Sequence, residues 1–178
     1  MTVAELISLA EEIGFEFAKE VNMDALEFMP EVREMCAADK CNSYNKNWAC
    51  PPASGTLEEM REKVKHFTGG VLVQTMAELE DDFDFETMAE ASRDHKERFK
   101  ELTEKVRAAG ADAMFMGAGG CNICAKCTYP DEPCRFPDRA LPSMESCGLL
   151  VSKVCTDSGL EYYHGKGTLA YTGCVLIA

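Results

Sequence analysis

Ten cysteines in a chain of 178 residues are the feature that most constrains this sequence. The N-terminal residues contain neither a basic n-region nor a long apolar stretch, so we predict no signal peptide and expect a cytoplasmic protein. A reducing cytosol disfavours structural disulfides. The cysteines are therefore expected to bind metal or to carry redox chemistry.

The strongest motif is a cysteine triplet in a stretch rich in Gly and Pro, residues 117–141. Cys121, Cys124 and Cys127 form C-x2-C-x2-C, and Cys134 follows after six intervening residues. Bacterial ferredoxins use the same triplet to bind an iron–sulfur cluster, whereas structural zinc more often uses two separated C-x2-C pairs. The spacing therefore predicts metal binding and favours iron–sulfur chemistry.

A second group of cysteines lies earlier in the chain, in the irregular stretch 36–55. Cys36, Cys41 and Cys50 have the spacing C-x4-C-x8-C, which fits no common zinc finger. Cys50 precedes Pro51, as the last ligand of a ferredoxin run often does. This group is also predicted to bind metal, because a chain rarely carries two irregular cysteine-rich loops without filling both.

The number of thiolates leaves the ligand sets open. Two [4Fe–4S] clusters would need eight ligands, and the two groups supply seven, so the missing one would be Cys147, Cys174 or a non-cysteine group. If the two loops converge, one cluster would instead take the Cys121 triplet and one thiolate of the first group. Cys147, Cys155 and Cys174 are expected mainly to pack in the core, where free cysteines are common.

Hydrophobic spacing predicts the elements around these loops. A short buried strand at 71–75, a long helix over 88–106 and a strand at 113–117 form a βαβ crossover, so the two strands should run parallel. Residues 160–164 and 168–177 are predicted to form a C-terminal hairpin joined by a GKG turn.

Composition fits one domain over residues 1–178, because 46% of the residues are hydrophobic. The predicted fold is α/β, or α+β, with a small mixed sheet, a crossover, a hairpin and two Cys-rich metal-binding loops (36–55 and 117–141). The net charge of −13 argues against binding to nucleic acid or to acidic membrane surfaces. No window approaches the roughly 20 apolar residues of a membrane helix.

At the two cysteine groups the chain resembles DUF2284, a family of predicted metal-binding proteins. The matching segments are Cys36-x4-Cys41, Tyr44, Trp48 and Cys50-Pro51-Pro52, then Cys121-x2-Cys124-x2-Cys127, Tyr129-Pro130 and Pro133-Cys134-Arg135-Phe136-Pro137. The resemblance covers nearly the whole chain and implies a metal or iron–sulfur protein, common among anaerobes, without a settled reaction. Asn45 replaces the family's usual Gly, but Asn tolerates the left-handed conformation, so the loop should keep its shape.

The leading hypothesis is a redox or electron-transfer protein with one or two [4Fe–4S] clusters and a redox partner protein. An incompletely ligated iron would make it an oxidoreductase, although no substrate is identified. One alternative is a zinc-binding structural or interaction module, with Zn²⁺ in closed sites. Another is a carrier that hands a metal or cluster to another protein. The exposed edge of the predicted hairpin would allow a homodimer.

Overall fold

A four-stranded sheet with the order β1-β2-β4-β3 lies at the centre of the structure, and every neighbouring pair is antiparallel. The computed structural model describes residues 1–178. The strands are β1 (Phe17–Glu20), β2 (Gly69–Glu78), β3 (Ala113–Met116) and β4 (Thr168–Ile177). The helices are α1 (Val3–Ile13), α2 (Pro30–Ala37), α3 (Leu57–Val64), α4 (Phe85–Ala108), α5 (Met144–Cys147) and α6 (Val151–Asp157), with a 3-10 turn at Met23–Ala25. No helix combines the length and the apolar character needed to cross a bilayer.

Helices cover both faces of this sheet and form two hydrophobic cores. On one face, α1 and the long helix α4 pack on the side chains of Val71, Val73 and Val175. On the other face, α3, α5 and α6 pack on Leu72 and the alternate residues of β3 and β4. Because successive side chains of a strand point to opposite faces, a sheet covered on both faces needs strands that are apolar at nearly every position.

The predicted fold class is confirmed, and β2, α4 and β3 form the crossover. Both β2 and β3 pair antiparallel with β4, so they run in the same direction, as predicted. The two strands are not neighbours, however, because β4 lies between them. The sheet is therefore purely antiparallel and not mixed. The last residues of β4, from Thr172 to Ile177, are buried, which requires a central place in the sheet with cover on both faces.

The predicted C-terminal hairpin is wrong, because residues 160–164 form no strand. Over its whole length β4 pairs with β2, from Gly69 opposite Ile177 to Glu78 opposite Thr168. The Gln74 side chain of β2 holds the preceding segment instead: its Nε2 donates to the Glu161 carbonyl at 3.0 Å. Without a strand at 160–164, the hairpin edge proposed for a homodimer does not exist.

Local signals at helix ends are confirmed where they concern only neighbouring residues. Thr56 begins α3 with a complete capping box, in which its side chain accepts from the Glu59 N–H and the Glu59 carboxylate accepts from the Thr56 N–H. The helical spacing from Met144 to Val154 corresponds to two short helices, because Gly148 breaks it with φ +99°. A Cβ at Gly148 would lie 2.4 Å from Leu57 Cδ2, so the position also needs a residue without a side chain.

Candidate metal centre

The two cysteine groups lie on the two longest connections between regular elements. The first connection runs from the end of α2 at Ala37 to the start of α3 at Leu57, and the second from the end of β3 at Met116 to the start of α5 at Met144. Cys36 itself lies in the last turn of α2 and not in the loop. We call residues 38–56 the first loop and residues 117–143 the second loop.

The ends of the second loop are held together at the carboxyl end of β3. The Gly117 N–H donates to the Pro142 carbonyl at 2.8 Å, and the Gly117 carbonyl accepts from the Met144 N–H at 3.1 Å. These bonds make a short parallel bridge between Gly117 and Ser143. The second loop therefore leaves the sheet and returns to it at one place, with all four of its cysteines in between.

All four cysteines of the second loop line one small cavity of about 20 Å³. Cys121, Cys124, Cys127 and Cys134 all contribute to its wall, and each is partly exposed. The first loop supplies part of the same wall through Asn47 and Trp48. The cavity is thus built by both loops and contains the complete second cysteine group.

Hydrogen bonds within the second loop return Cys134 to the triplet despite the longer spacing. Thr128 Oγ1 donates to the Pro133 carbonyl at 2.9 Å. The next residue after Cys134 contributes as well, because Arg135 Nη1 donates to the Lys126 carbonyl at 2.9 Å. The first bond joins the residue after Cys127 to the residue before Cys134. The second joins the residue before Cys127 to the residue after Cys134.

The two loops are joined by aromatic side chains. Trp48 Nε1 of the first loop lies 3.3 Å from Thr128 Oγ1 and 3.2 Å from the Glu132 carbonyl, to which it donates. The Trp48 and Tyr129 rings meet edge to face, with centroids 5.0 Å apart. The Tyr129 hydroxyl in turn donates to Asn45 Oδ1 at 2.6 Å. Trp48 is therefore a structural bridge that closes the cavity.

Left-handed residues shape the first loop. Asp39, Asn42 and Asn45 have φ of 53°, 55° and 55°, a conformation that Asn and Asp adopt more readily than other residues with side chains. The prediction that Asn45 accepts the place of a Gly is confirmed by this angle. Asp39 Oδ1 also accepts from the Tyr44 N–H at 2.9 Å, which tightens the turn.

The thiols of the first group lie near one another and against α5. Cys36 Sγ donates to the Glu145 carbonyl at 3.7 Å. Burial raises the pKa of Cys36; the Arg33 guanidinium lowers it, and the negative charges of Glu145, Cys41 and Cys50 raise it. Cys41 is exposed and Cys50 is buried.

Cys50 links the first group to the second. Burial raises the pKa of the Cys50 thiol, and so do the charges of Cys41 and Cys121. The Asn47 side chain and the Cys121 backbone, both close to this sulfur, lower the pKa and so oppose the effect of burial. Cys50 of the first group therefore lies beside Cys121 of the second group, and the two groups are adjacent. No set of three or more His, Cys, Asp or Glu side chains is close enough to hold a single metal ion.

The other three cysteines lie in the core, as the sequence predicts. Cys147, Cys155 and Cys174 are each 0% exposed and belong to the same hydrophobic core. Burial raises the pKa of Cys147 to about 12 and that of Cys155 to about 11. It raises the pKa of Cys174 as well. These thiols are protonated at neutral pH, so they pack as small apolar groups and are not among the cysteines that line the cavity.

The comparison with family models agrees with this arrangement. The model for DUF2284, described as a predicted metal-binding protein, matches residues 19–177. The chain belongs to the DUF2284 family. Searches of the curated proteins and of the solved structures gave no match.

The structure of this DUF2284 protein also contains site residues that the sequence argument missed. Asn47 is buried, lines the cavity and bonds within the first loop: its Nδ2 donates to the Ser43 carbonyl at 3.2 Å and its Oδ1 accepts from the Ala49 N–H at 3.0 Å. An Asn two residues before a bonded N–H is a common turn signal, which could have identified it. Glu145, beside Cys36, had no such signal because α5 is distant in sequence.

Proposed function

We propose that this DUF2284 chain is an iron–sulfur redox protein in which Cys121, Cys124, Cys127 and Cys134 hold a [4Fe–4S] cluster. One observation carries the proposal: these four cysteines line a single small cavity. A family described as predicted metal-binding supports some metal cofactor. The finer assignment to iron and sulfide rests on the spacing of the triplet and the number of thiols.

The donor set fits the chemistry of such a cluster. A [4Fe–4S] cluster is held by four cysteine thiolates, each bound to a different iron. Its ligands therefore surround a volume, whereas the ligands of one zinc ion at about 2.3 Å converge on a point. Four thiols around one cavity, without histidine or carboxylate among them, match the first arrangement.

Residues around the cavity would control water and orientation. When bound, the cluster would accept and release single electrons. Trp48 covers the cavity from the first loop, while the Thr128 and Arg135 hydrogen bonds hold the segment that carries Cys134. Exclusion of water and hydrogen bonds near the sulfurs are the main means by which proteins set cluster potentials.

We extend the proposal to the first group, Cys36, Cys41 and Cys50, as a second metal-binding site. Its three thiolates are one fewer than a fully ligated [4Fe–4S] cluster needs. The Cys147 and Cys174 thiols are unsuitable as the fourth ligand, since both lie fully buried among apolar side chains of the core. A non-cysteine ligand or a substrate would then occupy the fourth position, which would make the protein an oxidoreductase. The proximity of Cys50 to Cys121 would place the two sites side by side.

The proposal includes a partner protein that exchanges electrons with the chain in the cytoplasm. The net charge of −13 suits a partner with a basic surface. A homodimer would require a surface other than the hairpin edge.

Serine variants test the ligand assignment. We expect Cys124→Ser, purified anaerobically, to lose most of its iron and part of its stability, because metal binding and folding are coupled. Cys155→Ser serves as the matched control, since that thiol lies in the core and should leave the iron content unchanged. Full iron in Cys124→Ser would refute the triplet assignment. Zinc in place of iron in the wild-type protein would refute the redox function, and metal lost readily to a mild chelator would favour a carrier.

A further inference from the structure

A second cavity, separate from the cysteine-lined one, opens between α4 and the second loop. Its volume is about 400 Å³, within the range of sites for small molecules. One wall is the face of α4 from Arg93 to Arg107, and the other is formed by Gly117–Ile123 and Asp138–Leu141. Cys121 contributes to this wall too, so the cavity reaches the candidate metal centre from the other side.

The charge of this cavity is opposite to that of the chain. The protein has 31 acidic and 18 basic residues, yet the cavity is lined by more cations than anions. The cations are Arg93, Lys96, Lys100, Arg107 and Arg139, and the anions are Glu97, Glu104 and Asp138. Only Lys100 has a carboxylate within 4.0 Å, at 3.8 Å from Glu104. The other four cations form no ion pair with a carboxylate within that distance.

Three of these four cations contact backbone carbonyls or an aromatic ring. Lys96 Nζ donates to the Gly120 carbonyl at 3.2 Å, and Arg107 Nη1 donates to the Asp138 carbonyl at 2.6 Å. The Arg139 guanidinium lies over the Phe136 ring, 5.3 Å from its centroid. Such contacts orient a cation without cancelling its charge, so several donors remain for an anionic group.

A buried imidazole in the cavity wall lacks a partner for one of its nitrogens. His95 is 1% exposed and belongs to the lining. Its Nδ1 lies 3.0 Å from Thr75 Oγ1, but Nε2 has no hydrogen-bond partner. A buried polar atom without a partner costs about 1–3 kcal/mol. A ligand or water in the cavity would remove that cost by bonding to Nε2.

We infer that this cavity binds a small oxyanion, a carboxylate or phosphate compound, with its charge between the α4 cations and Arg139 and a polar atom bonded to His95 Nε2. The backbone N–H groups of Ala118, Gly119 and Gly120 donate to no oxygen of the chain, which leaves them available to the same anion. Guanidinium groups bind both carboxylates and phosphates through paired hydrogen bonds, so the two sources share one recognition chemistry.

A ligand in this cavity would lie beside Cys121. If the proposed function holds, the anion would be positioned next to the metal centre, as a substrate of a redox reaction would be. Binding of the anion itself requires only the cavity, its cations and His95, and so it does not depend on which metal the cysteines hold.

Calorimetric titration of the anaerobically purified full chain with succinate, and separately with inorganic phosphate, tests the inference. We expect one of them to bind in a saturable manner, and the tighter one identifies the carboxylate or phosphate source. The double variant Arg93→Gln, Arg139→Gln should weaken that binding at least tenfold. The double variant Lys19→Gln, Lys166→Gln removes the same charge elsewhere on the surface and should change the affinity less than twofold.

Two results would overturn the inference: no saturable binding of either probe, or equal weakening in both double variants, which would indicate a general charge effect. His95→Leu should also weaken binding at least fivefold. His95→Gln retains a hydrogen-bonding group, so its affinity should stay within threefold of wild type. Equal affinity in both variants would show that His95 is not part of the site. Iron analysis of the same samples separates this test from the proposed function, because the metal content and the anion affinity are measured independently.

Discussion

The buried imidazole of His95 provides a quantitative test of the structure through the pH dependence of stability. Its ring is enclosed by three aromatic side chains, Phe15, Phe99 and Tyr171. Burial lowers the pKa of His95 to about 3, and the positive charges of Arg98 and Lys96 add to this effect. The folded protein therefore keeps His95 neutral at pH values where the unfolded chain binds a proton.

The size of the effect follows from the two pKa values. The unfolded chain has the ordinary histidine pKa of about 6.5. Since the folded pKa is depressed, the contribution to stability is fully present above the unfolded value and is lost as the pH falls from about 6.5 towards 3. Between about pH 8 and about pH 5, linkage gives a loss of about 2 kcal/mol. That is a large part of a typical unfolding free energy of about 5–15 kcal/mol.

The assay compares wild type with His95→Gln by anaerobic urea unfolding at several pH values. Groups common to both proteins, including the cysteine ligands, cancel in the difference. We expect the free energy of unfolding of wild type minus that of His95→Gln to fall by about 2 kcal/mol between about pH 8 and about pH 5. Leu102→Val on the same helix is the control, and its difference from wild type should not vary with pH. A constant difference for His95→Gln would refute the claim that the folded protein holds this imidazole neutral.

Three further substitutions test the packing of the fold by thermal or urea unfolding. Gly173→Ala should destabilise by about 1–3 kcal/mol, because the new Cβ would lie 2.5 Å from Phe99 Cε2; an unchanged midpoint would mean that α4 is not so close to β4. Thr56→Ala should cost about 1 kcal/mol through loss of the α3 N-cap, whereas Thr56→Ser should be close to neutral. Gln74→Leu should cost about 1–3 kcal/mol, since it leaves the buried Thr172 hydroxyl without this donor and removes the bond to the Glu161 carbonyl, and wild-type stability in this variant would contradict the bonds that replace the predicted hairpin.

Features of the fold that depend on neighbouring residues were accessible from the sequence. A run of consecutive residues is enough to predict each of them: the Thr56 capping box, the long amphipathic helix α4 and the apolar strands β2 and β3. The pairing partner of β4 could not be predicted from the sequence, because an apolar strand can occupy several positions in a sheet that is covered on both faces. The choice depends on contacts far apart in sequence, such as the Gly173 approach to Phe99.

The candidate site divides in the same way. The seven cysteines could be selected from spacing alone, and their role as ligands stays a prediction. Their mutual arrangement depends on tertiary structure: Trp48 reaching Thr128, and Cys50 lying beside Cys121, bring together loops that α3, β2, α4 and β3 separate in the sequence. The basic cavity could not be predicted from the sequence either, because its cations come from one helix of mixed charge and from Arg139 on a distant loop.

The central claim is that the cysteine-lined cavity holds an iron–sulfur cluster. Iron, acid-labile sulfide and zinc should be measured per chain on wild-type protein purified anaerobically, together with its absorption spectrum. The account predicts a brown protein with iron and sulfide in equal amounts, about four of each for one cluster or about eight for two. A colourless protein with one or two zinc ions per chain and no sulfide would contradict it.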